Sequence, residues 1–279
     1  MASQTKTSAS AFWPREHGAW GLLLQPFLAG AILAGHWTWL LIPALGLILL
    51  GFTLRTPLVI LARQAFIWRE ANPQTTQAAR WFVWQLAGLA VCVYWLSSGV
   101  HRWILLSLVA AGAFLTLGAV WMTIRNRQRS RLFQSASAVV LGLTAPFAVL
   151  VAAGEIPRWA WALWLLLALH GVTSIWVVHA RLECRVASRN SLGSQQLRNH
   201  YTAQAIQLPI MALLAYSYPA LVVPPLFSIS AHLLELRRLN SAPGLREPLT
   251  RVGFRTLGIA LIHLALSIAS LWPVARGRL

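Results

Sequence analysis

Long apolar runs, joined by short connections rich in arginine, alternate along this chain from about residue 18 onward. A bilayer's hydrocarbon core takes about 20 apolar residues per helix, because without water each backbone polar group must be satisfied within its own segment. Runs of that kind lie near 18–35, 38–62, 80–98, 103–122, 133–153, 159–179, 200–217, 219–235 and 253–274. The pattern predicts an all-α, polytopic transmembrane bundle. The seventh and eighth runs are separated only by Tyr218 and Pro219 and are interrupted by Pro209, Pro224 and Pro225. Nine spans, or eight with a hairpin or re-entrant pair, therefore both remain open. Residues 1–14 are expected to form a disordered cytoplasmic tail and 15–279 one transmembrane helical domain, with the first run an uncleaved anchor.

Composition sharpens this reading. Of 279 residues 57% are apolar and 10% are charged, against about 25% charged in ordinary soluble domains. The net charge of +17 does not point to nucleic acid, since the arginines sit between apolar runs and not on one face of a soluble body. Positive residues in connections are retained in the cytoplasm. Of the 23 Lys and Arg, 19 fall in alternate connections that include the N-terminal tail, and only Arg102, Arg158, Arg276 and Arg278 fall in the others. Nine spans then place the N-terminus in the cytoplasm and the C-terminus outside. Trp37, Trp39, Trp81, Trp84, Trp103, Trp121, Trp159, Trp161 and Trp272 lie near span ends, as an interfacial aromatic belt would place them. The two cysteines, Cys92 in an apolar run and Cys184 in what reads as a basic loop, predict no disulfide.

The first and fifth runs echo one another. Leu24-Gln25-Pro26-Phe27 with Gly35, Trp37 and Trp39 stands against Thr144-Ala145-Pro146-Phe147 with Gly154, Trp159 and Trp161. Chance similarity between apolar segments and a duplicated bundle are both open readings. Duplication would make the polar segments Arg63 to Gln77 and His179 to Asn199 equivalent, facing each other over one cytoplasmic mouth.

Candidate chemistry is limited by the absence of aspartate; the acids are Glu16, Glu70, Glu155, Glu183, Glu235 and Glu247. No carboxylate cluster suits a magnesium-diphosphate site, and neither a metal nor a cofactor is expected. Whether the chain is an enzyme is left open, with the balance against it. Arg, Glu and His do gather at the cytoplasmic ends of runs. The candidate ligand-binding set is Arg15, Glu16, His17, Arg63, Arg69, Glu70, His179, Arg181 and Glu183. Arg15-Glu16-His17 abuts a helix N-terminus, whose free N–H groups favour an anion, and guanidinium forks match phosphate oxygens. His179 and Glu183, and likewise His232 and Glu235, share a helix face. Each of these features also reads as topology-setting charge or an interfacial hydrogen bond. Deeper in the runs, Gln25, His170, Thr173, Ser174 and His263 are costly in hydrocarbon unless they face a cavity or another helix. His170, Thr173 and Ser174 share one face and suit a polar cavity wall.

Pro14-Arg15-Glu16-His17-Gly18-Ala19-Trp20, followed by Leu24-Gln25-Pro26-Phe27, resembles the YwiC-like family of bacterial membrane proteins. That resemblance implies a polytopic inner-membrane protein and assigns no chemistry. The nine-run layout, the repeat and the two long cytoplasmic connections also look like the UbiA-type prenyltransferase superfamily, but arginines and glutamates stand where its aspartate motifs would fall. Three expectations follow. One is binding of an anionic amphipathic ligand, such as a lipid or isoprenoid phosphate, at the cytoplasmic mouth. Another is a small-anion transporter or exporter, resting on His170 and His263. The third is an assembly partner of a membrane complex, its protein partners unspecified. The bilayer is the one partner common to all three.

Overall fold

The computed structural model describes residues 17–68, 70, 72–187 and 194–277, except for the side chains of His17, Ala187 and residues 194–198. Among these residues the secondary structure is helical throughout. The helices are α1 (His17–Ala34), α2 (Leu41–Phe66), α3 (Gln74–Leu96), α4 (Arg102–Ile124), α5 (Arg131–Gly142), α6 (Thr144–Ala153), α7 (Arg158–Ala187), α8 (Ser194–Gln204), α9 (Gln207–Ser217), α10 (Val223–Arg238), α11 (Ala242–Arg246) and α12 (Leu249–Ala275), with a 3-10 turn at Pro219–Val222. Seven helical stretches among the described residues are long and apolar enough to cross a membrane, α5 and α6 counting together as one, and Gly18–Ala34 is a shorter apolar helix.

The chain divides into two compact units. Unit 1 comprises α2, α3 and α4 with short flanking pieces. Its helices bury little of themselves: Trp84, Tyr94, Phe114 and Ile42 are each more than 70% exposed. Apolar surface on that scale is incompatible with water and is what lipid solvates. A buried bond from Gln85 Nε2 to Thr53 Oγ1 (3.1 Å) joins α2 and α3. Their connection is organised by Gln64. Its amide nitrogen donates to the Glu70 carbonyl, while its oxygen accepts from the Asn72 N–H (2.9 Å) and the Thr75 hydroxyl (3.0 Å).

Unit 2 holds residues 21–36, 131–149 and 155–279. In it α7 packs against α5, α8, α10, α11 and α12. Helix α1 meets the start of α6 backbone to backbone. The Thr144 hydroxyl donates to the Leu23 carbonyl at 3.0 Å, and a Cβ on Gly30 would collide with the Ala145 carbonyl. Gly35 and Gly154 follow the ends of α1 and α6 at φ of 71° and 80°, the left-handed conformation that ends helices and suits glycine. The two echoing sequence segments thus finish in the same local geometry.

Two sequence expectations are corrected here. The seventh run, near 200–217, is not one helix: it breaks between α8 and α9 at Ala205 and Ile206, where turn bonds Thr202 O to Ala205 N and Ala205 O to Leu208 N replace the ladder. Pro209, lacking an N–H, stands just beyond the break. Together the two pieces still travel the length of α7, because His200 meets Glu183 near one end and Leu214 and Tyr218 line a depression with Arg158 and Trp161 at the other. Nor does Cys184 lie in a loop. Helix α7 continues to Ala187, since Ala180 and Cys184 are buried with Val177, Leu236 and Leu239 against α10.

Candidate functional site

Several of the polar residues that the apolar runs carry come together in unit 2. Helix α7 presents His170 and Ser174, α10 presents Ser228 and His232, and α12 presents His263 and Ser267. Each pair is four residues apart and so shares a helix face. Gln204 and Gln207 join them from either side of the α8–α9 break. His170, His232 and His263 are 6%, 2% and 1% exposed. Their rings stack as one column with His170 in the middle. It lies 4.2 Å from His263 and 5.1 Å from His232, at interplanar angles of 12° and 18°.

Hydrogen bonds run through the column in one sense. With Gln204 presenting Oε1 to His232 Nδ1 (3.1 Å), that nitrogen donates, so in neutral His232 the Nε2 accepts. The Ser174 hydroxyl lies 3.0 Å from His232 Nε2 and 3.4 Å from His170 Nε2. Donating to the first, it accepts from the second. His170 Nδ1 is then an acceptor, and Ser228 supplies its hydroxyl proton at 2.9 Å. One set of neutral tautomers satisfies the whole chain. Gln207 Nε2 also donates to Gln204 Oε1 at 3.2 Å. Within this cluster two buried polar atoms stay unpartnered, His263 Nδ1 and Gln204 Nε2. Parallel rings keep their nitrogen lone pairs in parallel planes that do not converge, and among the described residues no group of His, Cys, Asp or Glu is arranged to hold a metal ion. Thr173, expected beside His170 and Ser174, turns its hydroxyl onto the Leu169 and His170 carbonyls.

Beyond this column, toward the C-terminal end of α7, lies an ionic network. Glu235 receives Arg181 (3.4 Å), Arg238 (3.1 Å) and Arg255 (2.7 Å), and Glu247 receives Arg255 twice, at 2.6 and 2.8 Å. Arg181 also donates to the Gly244 carbonyl at 2.8 Å, and Arg185 to the Leu245 and Glu247 carbonyls. The Arg255 guanidinium, hydrogen-bonded to Glu247, holds that carboxyl below its ordinary value of 4.5. On another face of α7, Glu183 bonds His200 (2.9 Å) and pairs with Arg131 (3.6 Å). His179 bonds Gln134 at 2.9 Å. Arg131, Arg181, Arg185, Arg238 and Arg255 thereby share one end of unit 2, while Arg158 lies at the N-terminal end of α7 and Arg276 beside Gly35.

Of the residues singled out from sequence, Arg15, Glu16 and Arg69 lie outside the described residues, and His17 begins α1 with its side chain undescribed. Arg63 sits in the last turn of α2, its carbonyl accepting from the N–H groups of Ile67 and Trp68, and Glu70 lends its carbonyl to Gln64, all within unit 1. In unit 2, His179 and Glu183 share a helix but bond to different neighbours, and so do His232 and Glu235. Sequence reasoning marked His170, Ser174 and His263 but missed Ser228, Gln204 and Gln207. The available signal was a hydroxyl or amide three or four residues from a histidine or another amide inside an apolar run.

No curated protein matches the chain. The family model described as YwiC-like protein matches residues 13–149, ending before the segment that carries the three histidines. This chain is therefore a multi-pass membrane protein that is similar over its first half to YwiC-like proteins.

Proposed function

We propose that the chain is a transporter of a small anion, with the His170–His232–His263 column as its binding site at mid-depth in the bilayer. The observation that carries this reading is a buried polar column flanked by a broken helix, with two of its hydrogen-bonding atoms unused. Interrupted helices at mid-membrane are where transporters present backbone and amide groups to a solute. The groups not already engaged here are the Gln204 amide NH2 and His263 Nδ1, neither of which is anionic. The nearest carboxylate in sequence, Glu235, is engaged by three arginines. Such a set suits an anion and not a cation.

A phosphate-binding arginine mouth, with or without a UbiA-like architecture, is the less favoured reading, since Arg181 and Arg185 already donate to carboxylates and backbone carbonyls. The excess of positive charge in alternate connections supports a cytoplasmic N-terminus in the cell's inner membrane. Uptake of labelled chloride, nitrate and phosphate into proteoliposomes tests the proposal. Transport by the wild type that falls at least tenfold in His170→Ala, in a variant that remains monodisperse, is the expected result. Unchanged uptake in His170→Ala would remove the column from the route.

A further inference from the structure

The column lacks a fixed positive charge, and that decides what must accompany an anion. Resting on the transport reading above, we infer that the site carries one proton together with each monovalent anion, an electroneutral symport in which His263 takes the proton.

An anion moved to mid-bilayer without a counter-charge is strongly disfavoured. The cations on the same helices do not supply one. Arg255 is eight residues from His263 on α12, about 12 Å of helix rise, and Arg181 is eleven residues from His170 on α7, about 16 Å. Both are held by Glu235 and Glu247. Helix α10 adds Arg238 and Glu235, which pair with each other, and the exposed Arg237; α8 adds His200, which pairs with Glu183, and Tyr201; Arg251 at the start of α12 is exposed. Helix α9 brings no titratable group near the column except Tyr216 at its exposed far end. The counter-charge must therefore arrive as a proton on an imidazole, the one side chain here that ordinarily titrates near neutrality.

Protonating His170 or His232 would break the ordered chain of tautomers, because each already uses both ring nitrogens. His263 Nδ1 has no partner to lose. A proton from the aqueous phase on the entry side binds there, making one N–H bond and leaving an imidazolium stacked on neutral His170. On the exit side that bond breaks and the proton leaves with the anion. Stacking at 4.2 Å would place an imidazolium on His170 directly against one on His263, and His232 has both ring nitrogens engaged, which limits the column to one proton.

Proteoliposomes containing the full chain separate this from simple anion transport. An inward proton gradient is imposed with potassium and valinomycin clamping the membrane potential, and chloride, nitrate and phosphate are the probes. One-to-one coupling predicts accumulation of about tenfold per pH unit, no response when the clamped potential is varied, and alkalinisation outside when anion is added. In His263→Gln, which retains an amide donor but takes no proton, the gradient should no longer drive accumulation. Uptake driven by potential and indifferent to the proton gradient would overturn the symport while leaving the transport site standing. Absence of uptake for all three probes would overturn both.

Discussion

Replacing Glu235 by glutamine removes one charge from the buried ionic network while nearly preserving its shape. Glu235 is 7% and Arg181 is 3% exposed, so both lie in a low-dielectric setting where an uncompensated ion is costly. After the substitution, Glu247 is the one carboxylate left to Arg181 and Arg255, beside the Gly244 carbonyl that Arg181 also meets. That carboxylate already takes both outer nitrogens of Arg255 and stands 3.8 Å from Arg181. Breaking a buried pair from one side costs about 3–5 kcal/mol. The residual Glu247 contact, and the 24% exposure of Arg255, put the expected loss at about 3 kcal/mol. That is more than a hundredfold in the unfolding equilibrium. The assay is SDS titration of protein purified in mild-detergent micelles, comparing wild type, Glu235→Gln and the double variant Glu235→Gln/Arg181→Met. The double variant should recover at least half of the loss, because it also removes the most deeply buried of the cations that glutamine leaves without a counter-charge. Glu235→Gln within about 0.5 kcal/mol of wild type, or a double variant no more stable than Glu235→Gln, would refute the reasoning.

Three further outcomes follow from the structure. Glu247 has its folded-state pKa held down by Arg255, so its contribution to stability is complete above the ordinary value of 4.5 and is lost as pH falls through the lowered folded value. The melting-temperature gap between wild type and Glu247→Gln should therefore be constant near neutrality and close on acidification, as followed by thermal unfolding at successively lower pH. Gly30→Ala should destabilise by about 1–3 kcal/mol, because its new methyl meets the Ala145 backbone, which has no flexible end to yield. Gly112→Ala, with open space around it, should melt at or slightly above the wild-type temperature in the same assay.

The structure also explains why part of the site was legible and part was not. His170, Ser174 and His263 stood out because a polar group in an otherwise apolar run is an anomaly visible in one dimension. Arg181 and Glu183 stood out as charges at a span end, but nothing in one dimension said which neighbours each would meet. Only two residues apart on α7, they point to different neighbours, Arg181 toward α10–α12 and Glu183 toward α5 and α8. Gln204 and Gln207 went unmarked, since the helix break beside which both are buried depends on what α8 and α9 pack against.

By itself the sequence determined the solvent of this protein. Apolar runs of bilayer length, with 10% charged residues, belong in lipid, and the partition of arginines between alternate connections is a linear property of the chain. Hydrophobicity of that kind is summed residue by residue and needs no knowledge of neighbours. Tertiary packing alone decided that His170, His232 and His263, separated by 62 and 31 residues, would stack in one column. It also decided that Glu235 and Glu247 would take up the arginines beside it. Lipid-like runs pack in many registers of nearly equal apolar burial, and what selects among them is the pairing of buried polar groups across helices, a property of the assembled fold and not of any one segment.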